Sequence, residues 1–325
     1  MILVTGATGF IGGHVARLLA ARGASLRVLV RPGSGARNLE GLPAERVTGD
    51  LRDPASLPAA VRGCRTIFHV AADYRLWSPH PSELYRSNVD GTANLLDAAG
   101  EAGAERIVYT STVGTIRPPA PGTLSDEDAA VSLAGMAGHY KRSKFLAEQA
   151  ALERARRGLP VVIVNPTAPV GEADVKPTPT GRIIVDFLRG AMPAYVDTGL
   201  NFVDVRAVAE GHLLAAERGR IGERYILGDR NLTLAELLQV LSRLTGRPAP
   251  RIRIPWAVAY AAGVAGEAAA RLTGRPPRAP LEAVRMARYK MWVRCDKARH
   301  ELGFRPGSLE EALERAVAWF ERLAR

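Results

Sequence analysis

Short apolar runs and longer helical patterns alternate along the first half of the chain. The runs lie at residues 2–4, 26–30, 46–48, 66–70, 106–110 and 161–164. Between them, at 54–61, 83–102 and 138–157, apolar residues recur every three or four positions, which is the spacing of one helix face. Short apolar runs suit strands that are buried on both faces. Their alternation with helices predicts a parallel sheet covered by helices on both sides.

The pattern changes after residue 165. Prolines and glycines are frequent between residues 166 and 193, around one short predicted helix at 182–188. Farther on, the pattern predicts a helix at 202–218, a strand at 223–227, a helix at 233–244 with Thr233 as its N-cap, and an amphipathic helix at 308–323. We therefore expect a first domain at 1–165, to which the chain returns with a segment at about 196–228. A smaller, mostly helical lobe would comprise residues 166–195 and 229–325.

A glycine-rich turn follows the first strand. Gly6, Gly9 and Gly12 are spaced three and three, and the pattern becomes helical from Phe10. Glycines allow the backbone to approach a diphosphate closely, and the free N–H groups at the helix start attract negative charge. The turn predicts a dinucleotide site. Together with the alternating pattern, it predicts an α/β fold with a Rossmann-type doubly wound parallel sheet. The smaller C-terminal lobe is then expected to bind the substrate. An ordinary glycine-rich turn between a strand and a helix is the alternative.

Composition and charge narrow the class of protein. Over 325 residues, 47% are hydrophobic and 24% charged, which is typical of a globular protein with a large core. The net charge of +11 would suit an anionic ligand, a nucleic acid or a membrane surface. Because no basic run is interleaved with aromatic residues, we do not expect nucleic-acid binding. Cys64 and Cys295 lack metal-ligand spacing, so we expect no metal site. Isolated cysteines and a strand at Met1, with no signal peptide before it, indicate a cytoplasmic protein.

A Tyr–Lys pair and two hydroxyl residues carry the candidate chemistry. Tyr140 and Lys144 are four residues apart in a predicted helix, so they lie on one helix face. A phenol has a pKa of about 10, and a nearby ammonium group lowers it toward the range in which general acid–base catalysis works. Thr112 ends the preceding strand, where a hydroxyl can hold a substrate carbonyl or alcohol against the tyrosine. Ser111 is the alternative hydroxyl, because the strand phase is open.

These motifs resemble the extended branch of the short-chain dehydrogenase/reductase family, which contains nucleotide-sugar epimerases and dihydroflavonol-type reductases. Further matches lie at 49–51, 71–72, 88–96 and 296–306, so the resemblance covers nearly the whole chain. It implies an NAD(P)-dependent enzyme in which Asp50 faces the adenine and Ala71 and Ala72 line the cofactor. The expected cofactor contacts are Gly6, Thr8, Gly9, Phe10, Ile11, Gly12, Arg31, Arg37, Asp50, Leu51, Ala71, Ala72, Tyr140, Lys144, Asn165 and Pro166.

Three segments are similar to a narrower subgroup, the hopanoid-associated sugar epimerases. They are residues 71–77, 138–148 and 176–203. This resemblance implies a link to bacterial hopanoid metabolism and a sugar substrate, although no residue in these segments indicates a sugar by itself. Lys176 and Arg182 are candidates for contacting an anionic group such as a sugar diphosphate, or they have structural roles in the lobe.

The residue that ends the second strand favours NADP(H) over NAD(H). An acidic residue there would bind the ribose hydroxyls and repel a 2′-phosphate. This chain instead has Arg31, with Arg37 nearby, and no Asp or Glu between Leu26 and Leu39. Two guanidinium groups in one turn can form charge-assisted hydrogen bonds with a phosphate. We expect NADP(H), with NAD(H) as the alternative and a solvated loop position as the alternative for Arg37.

Two redox reactions fit the candidate residues. The family's dehydratases carry an acid pair directly after the catalytic Thr, whereas Val113 and Gly114 follow Thr112 here, which disfavours elimination of water. A reductase would transfer hydride from NADPH to a ketone or aldehyde while Tyr140 donates the proton. An epimerase would oxidise an alcohol transiently and reduce it with the same cofactor, usually tightly held NAD. We favour the reductase because of Arg31. A non-catalytic dinucleotide sensor is the third hypothesis.

An alanine-rich segment at 256–270 is relevant to the question of whether the protein contacts a membrane. Arg251, Arg253, Arg271 and Arg275 flank it, so it could lie on an anionic membrane as a weak peripheral contact. We expect instead that it packs within the lobe. The expected partner is a small-molecule substrate, and the resemblance also allows a homodimer, because dimers are common in that family.

Overall fold

The computed structural model describes residues 1–35 and 37–324. Ala36 and Arg325, which the predicted domains include, lie outside the described residues. The strands are β1 (Ile2–Thr5), β2 (Leu26–Val30), β3 (Glu45–Thr48), β4 (Thr66–His69), β5 (Arg106–Thr110), β6 (Val161–Pro166), β7 (Ala168–Val170), β8 (Ala194–Val196), β9 (Gly199–Asp204), β10 (Arg224–Leu227), β11 (Arg230–Thr233), β12 (Ile252–Ile254) and β13 (Lys290–Met291). The α-helices are α1 (Phe10–Ala21), α2 (Leu57–Val61), α3 (Ser82–Tyr85), α4 (Gly91–Glu101), α5 (Gly138–Arg156), α6 (Pro179–Leu188), α7 (Val205–Arg218), α8 (Leu234–Thr245), α9 (Trp256–Thr273), α10 (Leu281–Met286) and α11 (Leu309–Ala324).

The main sheet is parallel and has the strand order β10-β6-β5-β4-β1-β2-β3. Alternate strand residues enter two separate cores, because successive side chains point to opposite faces. Val4, for example, packs in the core that contains α1 and α7 residues, and its neighbour Leu3 packs in the core that contains α4 and α5 residues. The predicted α/β fold with a doubly wound parallel sheet is confirmed. Strand order reverses beside β1, and ligands of such sheets bind at the carboxyl ends of the strands there.

The C-terminal lobe has a core of its own. It combines apolar faces of α6, α8 and α11 with β7 and β9. In a small sheet, β9 pairs with β11 in the antiparallel direction and with β7 and β13 in the parallel direction. Thr233 is the N-cap of α8, as predicted, and its hydroxyl accepts a hydrogen bond from the Glu236 nitrogen at 3.2 Å. The Glu236 carboxylate accepts from the Thr233 nitrogen at 2.7 Å, which completes a capping box.

Two details of the predicted elements are wrong, and a third expectation is met only in part. Residues 202–204 belong to β9, since Asp204 is extended and its carboxylate caps α7 at the Arg206 nitrogen. The predicted helix at 83–102 is interrupted by a π-helical turn (Arg86–Asp90) between α3 and α4. The segment at 256–270 packs within the lobe along one face only, because Gly263 and Ala270 are the buried residues of α9. In the described part of the chain, no helix is long and apolar enough to cross a membrane.

Candidate active site

The glycine turn between β1 and α1 is built for close backbone approach. Gly6 has a φ of +73°, and a Cβ there would lie 2.6 Å from the Ala71 nitrogen. A Cβ on Gly12 would lie 2.3 Å from the Gly6 carbonyl oxygen. Gly9 is the N-cap of α1 and provides no side-chain cap, and the first turn of the helix holds no acidic residue. The free N–H groups at this helix start therefore fit a diphosphate.

Asn38 holds the glycine turn from one side, which the sequence did not indicate. Its Nδ2 donates to the carbonyl oxygens of Thr8 and Gly9, at 3.3 and 3.0 Å. Of the other predicted contacts in the turn, Thr8 and Ile11 are half-buried and Phe10 is buried. Because Asn38 is itself buried, it fixes the carbonyl groups of the turn and leaves the N–H groups at the start of α1 available.

The ends of β2 and β3 form a cationic corner. Arg31 directly follows β2 and is exposed. Arg52 donates to both carboxylate oxygens of Asp50, with a shortest distance of 2.6 Å. The pKa of Asp50 is lowered mainly by that hydrogen bond and to a lesser degree by the positive charge of Arg31. Leu51 is half-buried, and Asn94 donates to its carbonyl at 2.9 Å. The corner thus contains the predicted Arg31, Asp50 and Leu51 together.

Arg37 lies on a different cleft. It begins a helical turn (Arg37–Leu39) and lines a cleft of about 870 Å³ together with Arg17, Arg206 and Arg322. Within the described residues, the lining of this cleft includes neither Arg31 nor Tyr140. The joint role of Arg31 and Arg37 at one phosphate therefore stays a prediction.

Tyr140 lies in the first turn of α5 and is half-buried. Thr112, which follows Ser111 after β5, lies beside it. Burial raises the pKa of Tyr140 to about 12, and hydrogen bonding with the Thr112 side chain acts in the opposite direction. The Thr112 hydroxyl also accepts from the Gly114 nitrogen at 3.1 Å. The Ser111 hydroxyl is buried and has no hydrogen-bond partner among residues 1–35 and 37–324. Of the two predicted hydroxyls, the one on Thr112 is the one that acts on the pKa of Tyr140.

Lys144 lies one turn after Tyr140, and its ammonium group is enclosed by protein. Nζ donates to the Tyr109 hydroxyl at 2.9 Å and to the Thr110 carbonyl at 2.8 Å. Burial lowers the pKa of Lys144 to about 7, and the charge of Glu148 counteracts this. The prediction that Lys144 lowers the pKa of Tyr140 is wrong for this arrangement. The ammonium group is directed at Tyr109 and Thr110, and burial dominates the pKa of the phenol.

Glu148 is a buried carboxylate one turn beyond Lys144. Its Oε2 accepts hydrogen bonds from Thr115 and Asn165, each at 2.8 Å, and its Oε1 pairs with Arg224 at 3.2 Å. A signal for this residue exists in the sequence, because a Glu four positions after Lys144 lies on the same helix face. The cluster fixes α5 against β6 and β10, so it holds Lys144 in place.

Asn165 and Pro166, both predicted cofactor contacts, are buried at the end of β6. The Asn165 Nδ2 donates to the Thr112 carbonyl at 3.0 Å, so it positions the backbone of the residue that meets Tyr140. Its Oδ1 has no hydrogen-bond partner within the described part of the chain. Asn165 thus supports the site from behind, and its contact with a cofactor stays a prediction.

The loop after β4 closes the other side of the glycine turn. Ala71 is half-buried and Ala72 is exposed. Asn88 fixes this loop, since its Oδ1 accepts from the Asp73 nitrogen at 2.7 Å and its Nδ2 donates to the Ser143 hydroxyl at 2.9 Å. Both predicted alanines are therefore held beside the glycine turn by a side chain that also contacts α5.

Glu282 of α10, in the C-terminal lobe, caps the start of α5. Its carboxylate accepts from the backbone nitrogens of Tyr140 and Lys141, at 3.4 and 3.3 Å. The group fits because Gly138 has a φ of +80° and no side chain, and a Cβ there would lie 2.0 Å from the Glu282 Cδ. Burial raises the pKa of Glu282 to about 7, although the hydrogen bonds from α5 oppose this. Nothing in the local sequence around residue 282 indicates this contact.

The fold and these residues together define a class of enzyme. Residues 2–228 match the model of the NAD dependent epimerase/dehydratase family, and the chain belongs to this family. It is therefore an NAD(P)-dependent enzyme of the extended short-chain dehydrogenase/reductase type.

Three relatives stand out. The chain is 47% identical over 323 residues to a "Putative dihydroflavonol 4-reductase" of Synechocystis sp., covering 98% of this chain and 94% of the relative. It is 38% identical over 320 residues to "Sterol demethylase protein B" of Methylococcus capsulatus, covering 98% and 97%. A solved structure of a nucleoside-diphosphate-sugar epimerase from Pseudomonas aeruginosa is 32% identical and covers 99% and 97% of the two chains, with a TM-score of 0.81.

Proposed function

We propose that the protein is an NADP(H)-dependent reductase that transfers hydride between the cofactor and a ketone or alcohol. The observation that carries this proposal is the placement of Tyr140 one turn before the buried Lys144 on α5, where Lys144 donates to the Thr110 carbonyl at the carboxyl end of β5. The reductase name of the Synechocystis relative supports it. We also propose that residues 1–165 with about 196–228 hold the cofactor, and that 166–195 and 229–325 bind the substrate.

The residues present fit a dinucleotide, because the glycine turn excludes side chains where the diphosphate would approach. When bound, the nicotinamide supplies and accepts the hydride. Tyr140 holds the proton for the substrate oxygen, and its pKa of about 12 keeps it protonated at neutral pH, which suits a proton donor in reduction. Thr112 donates a hydrogen bond to the same oxygen. Lys144 is the proposed cofactor contact next to them.

The preference for NADP(H) is also a proposal. Arg31 is exposed at the end of β2, and among the described residues it has no salt bridge, so its guanidinium group is available to a 2′-phosphate. Asp50 does not oppose this, since its carboxylate is already paired with Arg52. Arg37 is a secondary candidate from the neighbouring cleft. NAD(H) remains the alternative, and the family description names NAD.

The alternative reaction is epimerisation of a sugar-type substrate by transient oxidation, which the Pseudomonas aeruginosa neighbour favours. Dehydration is disfavoured, because Val113 and Gly114 stand directly after Thr112, where the family's dehydratases carry an acid pair, so these two positions supply no carboxyl group. The sterol demethylase relative supports an apolar alcohol or ketone as substrate rather than a nucleotide sugar. Homodimer formation and the hopanoid link stay predictions.

The purified full-length protein separates these reactions. A reductase is expected to arrive without bound NAD and to consume NADPH with a ketosteroid, whereas an epimerase is expected to retain NAD and to convert a UDP-sugar. Tyr140→Phe should lower kcat about 10²- to 10⁴-fold, because it removes the proton donor. Tyr289→Phe is the matched control, since this exposed phenol lies outside the site. Full turnover by Tyr140→Phe would show that the assignment of the acid is wrong.

Arg31 is tested by cofactor titration. Arg31→Ala should weaken NADPH binding by about tenfold or more and leave NADH binding nearly unchanged, because a charge-assisted bond to the 2′-phosphate is lost. Arg62→Ala is the control, since Arg62 is exposed at the end of α2 and away from this corner. Equal affinity of the unmodified protein for NADH and NADPH would contradict the proposed preference.

A further inference from the structure

Helix α9 presents an apolar face to water. Five of its exposed residues recur at a spacing of three and four positions, which places them along one stripe: Val258, Ala262, Ala265, Ala269 and Leu272. Leu272 is 90% exposed and Val258 is 55% exposed. A helix on the surface of a globular protein normally carries charged residues on its outer face. Large exposed apolar faces mark binding surfaces.

The opposite face of α9 is already used by the protein. Gly263 lets α9 approach α10 closely, since a Cβ there would lie 3.3 Å from side-chain atoms of Leu281 and Val284. Trp256 begins the helix and donates from Nε1 to the Val284 carbonyl at 2.8 Å. The helix is thus fixed in orientation, and the apolar stripe is the face that remains outside.

Positive charge surrounds the stripe. The segment at 247–290 contains nine Lys and Arg residues and two Glu residues, so it carries +7 of the net +11 of the chain. Arg251 and Arg253 precede the helix, and Arg275 and Arg278 follow it, and all four are exposed. Few of these charges are neutralised by nearby carboxylates. Arg253 and Lys290 both pair with Asp197, each at 3.4 Å. Arg271 pairs with Glu267 at 3.0 Å.

We propose that α9 lies in the surface of an anionic lipid bilayer, with the apolar stripe in the acyl region and the flanking arginines at the headgroups. An apolar helix face with basic flanks is the combination that binds such surfaces. A second copy of the chain is the poorer partner, because each copy would bring a charge of +7 to the contact and the two would repel. The helix lies on the bilayer and does not cross it, since no described helix is long and apolar enough to span a membrane.

This placement brings the bilayer close to the substrate lobe. The helix that α9 packs on is α10, and Glu282 of α10 contacts the backbone of Tyr140. An apolar substrate dissolved in the bilayer would therefore lie near the lobe. The surface proposal itself is independent of the reaction, because lipid binding requires no cofactor and no turnover.

Flotation of the full-length protein with vesicles tests the proposal. We expect binding to vesicles of phosphatidylcholine with phosphatidylglycerol and little binding to phosphatidylcholine alone. Binding should weaken as salt rises, because the Debye length falls from about 30 Å at 0.01 M to about 8 Å at 0.15 M ionic strength. Leu272→Asp should lower the partition coefficient at least about tenfold, because it puts a charge in the apolar stripe and repels the anionic lipid.

Ile221→Asp is the matched control, since Ile221 is 53% exposed on the loop before β10, outside the 247–290 segment. It should leave lipid binding within about twofold of the unmodified protein, and circular dichroism checks that both variants fold. Absence of binding to anionic vesicles at low salt would overturn the proposal, as would equal losses in the two variants. A concentration-dependent dimer that Leu272→Asp dissociates, without lipid binding, would assign the face to a second copy.

Discussion

Replacement of Glu282 by Gln tests which of two effects of this carboxylate on protein stability is larger. Burial of its charge destabilises the folded state, whereas its hydrogen bonds with the start of α5 stabilise it. The folded-state pKa of Glu282 is about 7, against an ordinary value of 4.5, and burial is the largest cause. Between these two pH values the folded protein binds more protons than the unfolded chain, so stability falls as the pH rises from about 4.5 to about 7. Each pKa unit corresponds to about 1.4 kcal/mol, so the ionised carboxylate costs the folded state about 3 kcal/mol above pH 7.

Glu282→Gln removes this cost and keeps an oxygen acceptor for the N–H groups of α5. Its free energy of unfolding should equal that of the unmodified protein near pH 4.5 and exceed it by up to about 3 kcal/mol at pH 8. In thermal melts the gain at pH 8 should be about 5 °C. Glu236→Gln is the control, because Glu236 is an exposed capping residue with a lowered pKa, and its loss should destabilise at pH 8. A lower melting temperature for Glu282→Gln at pH 8 would refute the reasoning, because it would show that the capping hydrogen bonds of the carboxylate outweigh the cost of burying its charge.

Kinetics give a second readout of the same substitution. The negative charge of Glu282 raises the pKa of Tyr140, so Glu282→Gln should move the alkaline limit of kcat to lower pH. Glu282 contacts the helix backbone and no reacting atom, so it is a positioning residue. A residue with only a packing role would change stability and leave the pH profile in place.

Three other substitutions test the rest of the site. Gly12→Ala should destabilise the protein by about 3 kcal/mol and abolish cofactor binding in fluorescence titrations, since its Cβ would meet the Gly6 carbonyl oxygen at 2.3 Å. Gly266→Ala is the control and should instead stabilise by about 0.5–1 kcal/mol, because this helical glycine has room for a Cβ, which would lie in ordinary contact with the Pro277 Cβ at 3.8 Å. Glu148→Gln should cost about 3 kcal/mol in urea unfolding, because Arg224 is left without its partner, and the loss should largely vanish in the Arg224→Leu background. Lys144 has a lowered folded-state pKa of about 7, so the stability of the unmodified protein should rise between about pH 7 and pH 10, and Lys144→Met should remove this rise in melts across that range.

Much of the fold around the main parallel sheet follows from the sequence, because its signals are local. The glycine spacing, the strand runs and the four-residue interval between Tyr140 and Lys144 each report backbone geometry within a few residues. The direction in which a side chain points was harder to predict than the helix face on which the residue lies. Lys144 lies on the predicted face, yet its ammonium group donates to Tyr109 and Thr110, which other parts of the sheet bring there. The strand phase at Ser111 and Thr112 was likewise open until the packing of β5 was known.

Two contacts that support the site were not predicted, for a different reason. Glu282 caps a helix that begins at Gly138, and Asn38 bonds to the turn at Thr8 and Gly9, so these contacts join distant parts of the chain. The sequence of α9 also did not indicate which of its faces is buried, since alanine is compatible with either face and gives no amphipathic signal. Only the packing of α10 against Gly263 determines which side of α9 remains outside.

The choice between reductase and epimerase depends on parts of the molecule outside the Tyr–Lys–Thr group. Both reactions transfer a hydride to or from one carbon and a proton to or from the oxygen that this carbon bears, so the same catalytic side chains serve either one. An epimerase must retain its cofactor and its keto intermediate between two hydride transfers, whereas a reductase must release both product and cofactor. On the proposed assignment, retention depends on the cationic corner, where Arg31 is exposed, and on the C-terminal lobe. Arg31 and the lobe residues around α10, rather than Tyr140, are therefore where substitutions should change the reaction that this site performs.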